Sequence, residues 1–318
     1  MRARLNRWLS GDWPRSRVLG VALLAMLLGL GLAPWLFPSV KAVNVAAKIL
    51  IFIVLVASYD LLLGYTGIVS FAHTMFFGLG AYGVAIAMNA QPTAQNLVLG
   101  VLCALVLSTV LALLIGLFSL RVRAIFFAMI TLAVASAFMT LASQLSEITG
   151  GEDGLTFSLP LWLSPSFEWS EEPLALPWGE VDLNGRLATY YLLFTSAVVL
   201  FLIMLRWVNS PFGRVLQAIR ENEFRAEALG YPVVIYRTLA TMLSAMMATL
   251  AGCMLAIWLR YNGPDTSLSF EIMLDVLLMV VIGGMGTLYG AVVGSGVFLL
   301  AQSYLQDVLA ALANLTSA

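Results

Sequence analysis

Long apolar runs alternate with short polar segments along the whole chain. A helix needs about 20 apolar residues to cross a hydrocarbon layer roughly 30 Å thick. Runs of that order lie near residues 18–37, 45–63, 68–89, 97–118, 124–146, 187–205, 238–259, 270–284 and 287–306. The eighth run is short, and only glycines punctuate the stretch between it and the ninth. The pattern predicts an all-α polytopic integral membrane protein with eight or nine transmembrane helices, some broken at glycine-rich segments, in a single domain over residues 1–318.

The composition excludes a water-soluble globule. Hydrophobic residues make up 61% and charged residues 10% of the 318 positions, whereas a soluble domain is roughly 45–50% apolar and about 25% charged. The net charge of −1 also argues against nucleic acid as a partner, because phosphate binding needs a surplus of basic residues. One histidine and two cysteines in separate apolar runs, Cys103 and Cys253, indicate neither a metal site nor a disulfide.

The distribution of basic residues predicts the orientation, because cytoplasmic loops carry the excess of Lys and Arg. With the N-terminus inside, twelve basic residues fall on inner segments and four on outer ones. This predicts a cytoplasmic basic N-terminus at residues 1–17 and a cytoplasmic loop at 206–237. The four outer cations are Lys41, Lys48, Arg186 and Arg260.

The outer segment 147–186 is acidic and long. It holds eight carboxylates together with Trp162, Trp169 and Trp178, and Trp favours the membrane–water interface. We therefore expect part of this periplasmic loop to lie on the outer surface. It is either a solvated acidic loop or a docking surface for an extracytoplasmic partner.

The inner loop carries strong helix punctuation. Ser210 followed by Pro211 is typical of a helix start, and Asn222 of a second one. Gly230 ends this second helix, which exposes Phe224 and other apolar side chains beside charged ones. Such a helix can transmit force from a soluble subunit into the membrane; the alternative is a charged loop that only follows the positive-inside rule. The spacing of Glu221 and Arg225 predicts a supporting pair.

A second group of polar residues lies inside the apolar runs. Gly64, Gly67, Ser70 and His73 form a flexible, polar stretch, and ionisable groups within a membrane are functional candidates. Ser70 and His73 are therefore candidates for a substrate path, although a lone histidine is also typical of a hydrogen bond to a neighbouring helix. We expect Asp60 to lie at the inner end of its span, where water reaches it.

Glycine patterns predict both packing and breaks. Gly286, Gly290 and Gly294 recur every four residues and predict one smooth helix-packing face. Gly283 and Gly284 predict a break, which is tolerated in a membrane only where it is buried in protein or lines a cavity. A substrate path beside that break is therefore plausible. The G-x-G-x-x-G run at 78–83 has no preceding strand, so packing explains it better than dinucleotide binding.

The chain holds no motif for hydrolysing ATP itself. A P-loop needs Gly-Lys followed by Ser or Thr, yet Lys41 follows Val40 and Lys48 follows Ala47. No Ser-His-Asp, Cys-His or paired-carboxylate arrangement is legible either, so we assign no catalytic residue, metal or cofactor. ATP-driven transport would need an ATPase in another chain, and a gradient-driven carrier acting alone is the rival.

Four segments carry a resemblance to a known family: GYTGIVSFAHTMFFGLGAYG (64–83), TGGEDGL (149–155), FGRVLQAIRENEFRAEALGYPVVIYRTLA (212–240) and VVIGGMGTLYGAVVG (280–294). They occur in the family's order, and the chain resembles the M-type permease subunits of ABC importers for branched-chain amino acids. Nearby permeases for urea, short amides or aromatic acids are the alternative within this class. Members usually carry a further apolar span after the position where this chain has Ala318.

The resemblance implies an inner-membrane permease domain with several partners. These are an H-type permease subunit, two cytoplasmic ATPase subunits that bind the ATP, and a periplasmic binding protein. In such importers a short cytoplasmic helix fits a cleft on the ATPase. It maps onto Asn222, Glu223, Phe224, Arg225, Glu227, Ala228, Leu229 and Gly230, although Glu227 to Gly230 follow the family's Glu-Ala-Ala motif only loosely.

Overall fold

The structure is a computed structural model that describes residues 17–37, 39–119, 124–169, 174–176, 179–181 and 184–316. Side chains are described for 18–37, 39–117, 126–169 and 184–305. The predicted N-terminal basic cluster therefore lies outside the described residues, apart from the backbone of Arg17. The same holds for Arg121, Arg123, Trp178 and much of the acidic part of loop 147–186.

The described chain is almost entirely helical. Its long helices are α1 (Arg17–Leu36), α2 (Val40–Thr66), α3 (His73–Ala90), α4 (Ala94–Ser119), α5 (Ala124–Gln144), α7 (Gly185–Val208), α10 (Val233–Leu259), α12 (Phe270–Gly283) and α13 (Leu288–Thr316). The shorter ones are α6 (Ser146–Thr149), α8 (Pro211–Glu221), α9 (Glu223–Ala228) and α11 (Pro264–Ser267). Within the described ranges, eight helical stretches are long and apolar enough to cross a membrane. The all-α polytopic prediction is confirmed.

Two helices form the centre of the molecule. Buried residues make up 72% of the apolar window of α10 and 61% of that of α2, but only 17% for α1 and 22% for α4 and α5. α10 packs against α2, α3 and α4, while α7 and α13 pack against α2. The peripheral helices instead expose Leu and Val side chains. Such an apolar exterior is suited to a bilayer rather than to water.

Small residues allow the central helices to approach closely. A Cβ atom on Gly80 of α3 would overlap the Thr249 carbonyl of α10 and lie 3.0 Å from the Cys253 nitrogen. A Cβ on Gly83 would lie 2.7 Å from the Cβ of Ala104 on α4. The packing explanation for the glycines at 78–83 is therefore confirmed for these two.

A non-helical segment, residues 67–72, connects α2 to α3. Gly67 ends α2 in the left-handed conformation, and the N–H of Phe71 donates to Oγ1 of Thr131 on α5 at 3.0 Å. Ser70 and Ala72 are buried. Most of this irregular backbone is thus enclosed by protein, the condition under which it is tolerated in a membrane, although Gly67 itself is exposed.

Short strands form two antiparallel pairs, one at the end of α10 and one in the loop that precedes α7. β1 (Leu155–Thr156) pairs antiparallel with β4 (Tyr261–Asn262) at the end of α10, and the Tyr261 hydroxyl donates to the Asp153 carbonyl at 3.0 Å. A single 3₁₀ turn covers Leu161–Leu163. β2 (Leu174–Leu176) pairs antiparallel with β3 (Gly179–Val181) in the same loop. Trp162 and Trp169 are exposed.

Candidate functional site

The break predicted at Gly283 and Gly284 is confirmed as the end of α12. α12 and α13 then form an antiparallel hairpin, because a Cβ on Gly290 would lie 2.8 Å from the Gly284 carbonyl oxygen and one on Gly294 only 3.0 Å from the Met279 carbonyl carbon. Residues 284–287 are the turn of this hairpin. The break is therefore a reversal of direction between two helices.

The prediction that Gly286 shares a packing face with Gly290 and Gly294 is wrong. Gly286 lies in the turn, before α13 begins at Leu288, and its φ is +86°. A side chain in this left-handed region is strained, so glycine is required there for backbone conformation rather than for a helix contact. Of the three glycines, Gly290 and Gly294 lie in close contact with α12.

Asp60 connects α2 to this turn. Its Oδ1 accepts a hydrogen bond from the Gly286 N–H at 2.8 Å. The side chain is buried, and Oδ2 has no hydrogen-bond partner among the described residues. The expectation that water reaches Asp60 is therefore wrong, because the hairpin turn covers it. A Cβ on Gly64, one helical turn later, would lie 2.5 Å from the Gly286 nitrogen.

Arg220 of α8 completes this junction. Its Nη1 donates to the Gly64 carbonyl, and the guanidinium interacts electrostatically with Asp60. A Cβ on Gly286 would lie 2.9 Å from the same Nη1. Arg220 is one of the twelve basic residues predicted on inner segments. The structure shows that it joins the surface segment to both α2 and the hairpin turn, and we call these four residues the Asp60 junction.

His73 makes the hydrogen bond to a neighbouring helix that was the alternative to a substrate role. Its Nε2 lies 2.8 Å from Oγ of Ser58 on α2. Ser58 donates its single hydroxyl proton to the Leu55 carbonyl at 2.7 Å, so Nε2 is the donor in the pair. Tyr59 lies beside the imidazole, with ring centroids 5.2 Å apart, and its buried hydroxyl has no partner among the described groups.

The four predicted path residues fall into two separate places. Ser70 and His73 lie where α3 begins, on the side of α2 that carries Ser58. Gly283 and Gly284 lie at the hairpin turn, on the side that carries Asp60. Positions 58 and 60 are two residues apart, which is about 200° around a helix. The structure therefore does not bring the four residues into one cavity.

The surface segment between α7 and α10 has the predicted two helices. Asn222 ends α8 and caps α9, its side-chain oxygen accepting from the Arg225 N–H at 2.9 Å. Ser210 precedes α8, but its hydroxyl donates to the Trp207 carbonyl at 2.6 Å instead of capping the helix. The predicted pair of Glu221 and Arg225 is wrong, because the chain turns between them at Asn222.

An ion pair fixes α9 to the beginning of α10. Arg237 donates to both carboxylate oxygens of Glu223, at 2.6 and 2.9 Å. Ala226, on the side of α9 that faces the body of the protein, is buried against Ile219 and Val233. α9 is therefore held on the body of the protein by a polar and an apolar contact.

The side of α9 that faces away from the body of the protein exposes apolar side chains beside charged ones. Phe224 is 82% and Leu229 72% exposed. All eight residues predicted to meet an ATPase, the set from Asn222 to Gly230 without Ala226, are exposed. A cleft of about 680 Å³ lies beside this segment and is lined by Phe212, Tyr231, Tyr236 and neighbouring residues. Exposed apolar residues next to a cleft are typical of a protein interface.

The fold defines an integral membrane protein with buried irregular segments and a fixed surface helix. The sequence model of the branched-chain amino acid transport system permease component matches residues 41–318. The chain belongs to this family of transporter subunits.

Relatives agree with this assignment. The chain is 26% identical over 309 residues to the high-affinity branched-chain amino acid transport system permease protein LivM of Salmonella typhimurium, covering 94% of this chain and 71% of the relative. For the protein of the same name from Escherichia coli the identity is 25% with the same coverage. A probable branched-chain amino acid transport permease protein LivM from Methanocaldococcus jannaschii is 24% identical over 69% of this chain and 63% of its own length. No solved structure matches.

Proposed function

We propose that this chain is the membrane-spanning permease subunit of an ATP-driven ABC importer that moves branched-chain amino acids across the inner membrane by alternating access. ATP is bound and hydrolysed by two separate cytoplasmic subunits, and the chain itself holds no cofactor. An H-type permease is its membrane partner, and a periplasmic binding protein delivers the substrate. The N-terminus and the segment 209–232 face the cytoplasm in this proposal.

The observation that carries the proposal is the exposure of two large apolar side chains, Phe224 on α9 and Leu229 directly after it. Burying a Phe or Leu side chain contributes roughly 1.5–3 kcal/mol, so leaving two of them bare on a fixed surface helix favours a protein partner. Arg220 lies just before α9 and contacts Gly64 and the hairpin turn. A displacement of α9 would therefore be transmitted to α2, α12 and α13 through the Asp60 junction.

The ATPase contact is tested with the importer assembled from this chain and its partner subunits. We expect Phe224→Ser with Leu229→Ser to lose the ATPase subunits on copurification and to lose nucleotide-driven import. The matched control is Leu161→Ser, because Leu161 is 79% exposed but lies in the loop at the opposite ends of α7 and α10. The control should retain both properties.

Two outcomes would contradict the proposal. Unchanged copurification and import in the double variant would remove the role of α9. Uptake by the purified chain alone, driven by an ion gradient in liposomes without ATPase, would favour a gradient-driven carrier. Competition among leucine, urea, short amides and aromatic acids would identify the substrate class, for which the relatives' names favour branched-chain amino acids.

We propose that the substrate path lies beside the interruption that includes Ser70 and His73, on the side of α2 away from the hairpin turn of Gly283 and Gly284. The irregular backbone around the buried Ser70 supports this placement, as does the unpartnered Tyr59 hydroxyl beside His73. Ser70→Ala and His73→Ala should change the substrate concentration that gives half-maximal import. If neither variant alters uptake in the assembled importer, the path lies elsewhere.

A further inference from the structure

A pocket of about 500 Å³ lies at the ends of α7 and α10 that are farthest from segment 209–232. Three elements supply one cation each: Lys48 from α2, Arg186 from the start of α7, and Arg260 directly after α10. Trp258 and Thr189 also line the pocket. Three of the four cations expected on the outer side of the membrane therefore converge on one opening, which we call the cationic pocket.

The described residues provide no counter-charge for this pocket. Arg186 contacts neutral groups: Nη2 donates to Oδ1 of Asn44 at 3.1 Å, and the guanidinium lies over the Trp258 ring at 5.7 Å. The side chains of Lys48 and Arg260 form no ion pair within the part of the chain that the structure describes. No Asp or Glu is among the described residues that line the opening.

Arg260 is held in place by its backbone. Its φ of 55° is the only positive value of a non-glycine residue in the described ranges, and this conformation is uncommon for a side chain of this size. The Arg260 N–H donates to the Ala256 carbonyl at 2.8 Å, and its carbonyl accepts from the Phe157 N–H at 3.1 Å. Burial lowers the pKa of Arg260, and the positive charge of Arg186 lowers it further. An anion in the pocket would relieve this repulsion.

We propose that the cationic pocket is the docking site for acidic side chains of the protein that delivers the substrate. This inference rests on the proposed function, in which such a protein approaches the face opposite α9. A branched-chain amino acid is a zwitterion without net charge, so its ammonium group would be repelled by the three cations. An acidic protein surface presents several carboxylates together and matches the charge of the pocket. Complementary charges of this kind steer association and fix orientation.

The test uses the complete importer in nanodiscs, with its substrate-loaded binding protein as the probe. ATP hydrolysis is measured against binding-protein concentration at several salt concentrations. For Lys48→Gln with Arg260→Gln, we expect the half-saturating concentration to rise about tenfold at low salt, with the maximal rate recovered at high concentration. The dependence on salt should also become shallower, because fewer charges are paired.

Lys41→Gln is the matched control. Lys41 lies on the same face of α2 two turns before Lys48, and its ammonium group sits over the Tyr304 ring at 5.1 Å. Lys41 does not line the cationic pocket. The binding-protein concentration that half-saturates ATP hydrolysis by the Lys41→Gln importer should therefore stay within about twofold of the wild-type value.

Several outcomes would overturn the inference. An unchanged half-saturating concentration in the double variant would do so. So would a defect that disappears in nanodiscs without anionic lipid, since the pocket would then hold a lipid phosphate. A defect reproduced in wild type by inorganic phosphate at low millimolar concentration would assign the pocket to a free anion. If the wild-type assembly shows no ATP-driven import at all, the proposed function fails instead, and the two failures are thus distinguishable.

Discussion

The carboxylate of Asp60 accepts a hydrogen bond from the backbone N–H of Gly286, 226 residues later in the chain, at 2.8 Å. This bond ties a central helix to the turn between α12 and α13. Arg220 reaches the same place from the surface segment. Three parts of the chain that are distant in sequence therefore share one buried charge, and a movement of any of them must change the surroundings of Asp60.

The first prediction concerns that charge. Asp60→Asn keeps a side-chain oxygen that can accept from Gly286 but removes the charge beside Arg220. Because a buried carboxylate with an unpartnered oxygen is costly, we expect the free energy of unfolding to stay the same or rise by up to about 2 kcal/mol. ATP-driven import should fall about tenfold, the size expected for losing about 1.4 kcal/mol of coupling. Thermal unfolding and uptake into proteoliposomes measure the two effects.

Asp275→Asn is the control for this charge. Asp275 is a partly buried carboxylate on α12, away from the Asp60 junction, and its variant should import within about twofold of wild type. If stability and import of Asp60→Asn fall in parallel, the residue is only structural and the coupling role is wrong.

The second prediction separates backbone strain from contact in the hairpin turn. Gly284 and Gly286 both have positive φ, +93° and +86°. A Cβ on Gly284 would meet nothing within 4 Å, whereas one on Gly286 would lie 2.9 Å from Nη1 of Arg220. Alanine at either position should cost about 1–2 kcal/mol of stability. Only Gly286→Ala should also reduce ATP-driven import, because only this variant displaces Arg220. Equal loss of import in both variants would argue against the junction.

The helices were predictable because their signals are local. Apolar runs of membrane-spanning length located the crossings, and Asn222 marked the start of α9 by its cap. The exposure of Phe224 followed from the helical spacing around it. Each of these features depends on neighbours within a few residues along the chain.

The Asp60 junction was not predictable from such signals. Gly286 fits the four-residue spacing of Gly290 and Gly294, and nothing in that spacing shows that the backbone turns before Leu288. The sequence predicted that water reaches Asp60, because the turn at residues 284–287 that covers it is more than 200 residues later in the chain. Likewise, the partner of Glu223 is Arg237, fourteen residues away, which helical spacing within α9 does not suggest.

The third prediction concerns the ion pair that holds α9. The side chains of Arg237 and Glu223 are 27% and 47% exposed, so water and salt screen the pair and its contribution should not exceed about 1 kcal/mol. Glu223→Gln should speed amide hydrogen exchange in α9 and weaken ATPase binding at low salt. The difference from wild type should shrink near 1 M salt, where the Debye length is about 3 Å.

Glu227→Gln is the control for the hydrogen-exchange measurement, because Glu227 is exposed on the same helix and forms no ion pair within the described ranges, so its variant should exchange like wild type. Exchanging the charges, Glu223→Arg with Arg237→Glu, should restore slow exchange. If the charge-swapped double variant still shows fast hydrogen exchange in α9, the defect comes from packing around α9 rather than from the ion pair.

The fourth prediction concerns the bond between His73 and Ser58. A double-mutant cycle with His73→Ala and Ser58→Ala should give a coupling free energy of about 1 kcal/mol in unfolding, the usual net value of a hydrogen bond. Ser70→Ala should show no coupling to Ser58→Ala, because Ser70 makes no contact with it among the described hydrogen bonds. A coupling free energy of zero between His73 and Ser58 would show that their hydrogen bond does not stabilise the fold. The substrate path would then be the one role proposed for His73.

The last prediction tests how tightly the central helices pack. Gly80→Ala should cost about 1–3 kcal/mol, because the added methyl group would overlap the Thr249 carbonyl and force α3 away from α10. Gly29→Ala is the matched control: Gly29 is exposed on α1, and a Cβ there would meet nothing within 4 Å. Since glycine weakens a helix interior, this variant should gain about 0.5–1 kcal/mol. Melting temperatures in one detergent should therefore move in opposite directions. A shift of the same sign in both would mean that helix propensity, rather than close approach of α3 and α10, decides the effect at position 80.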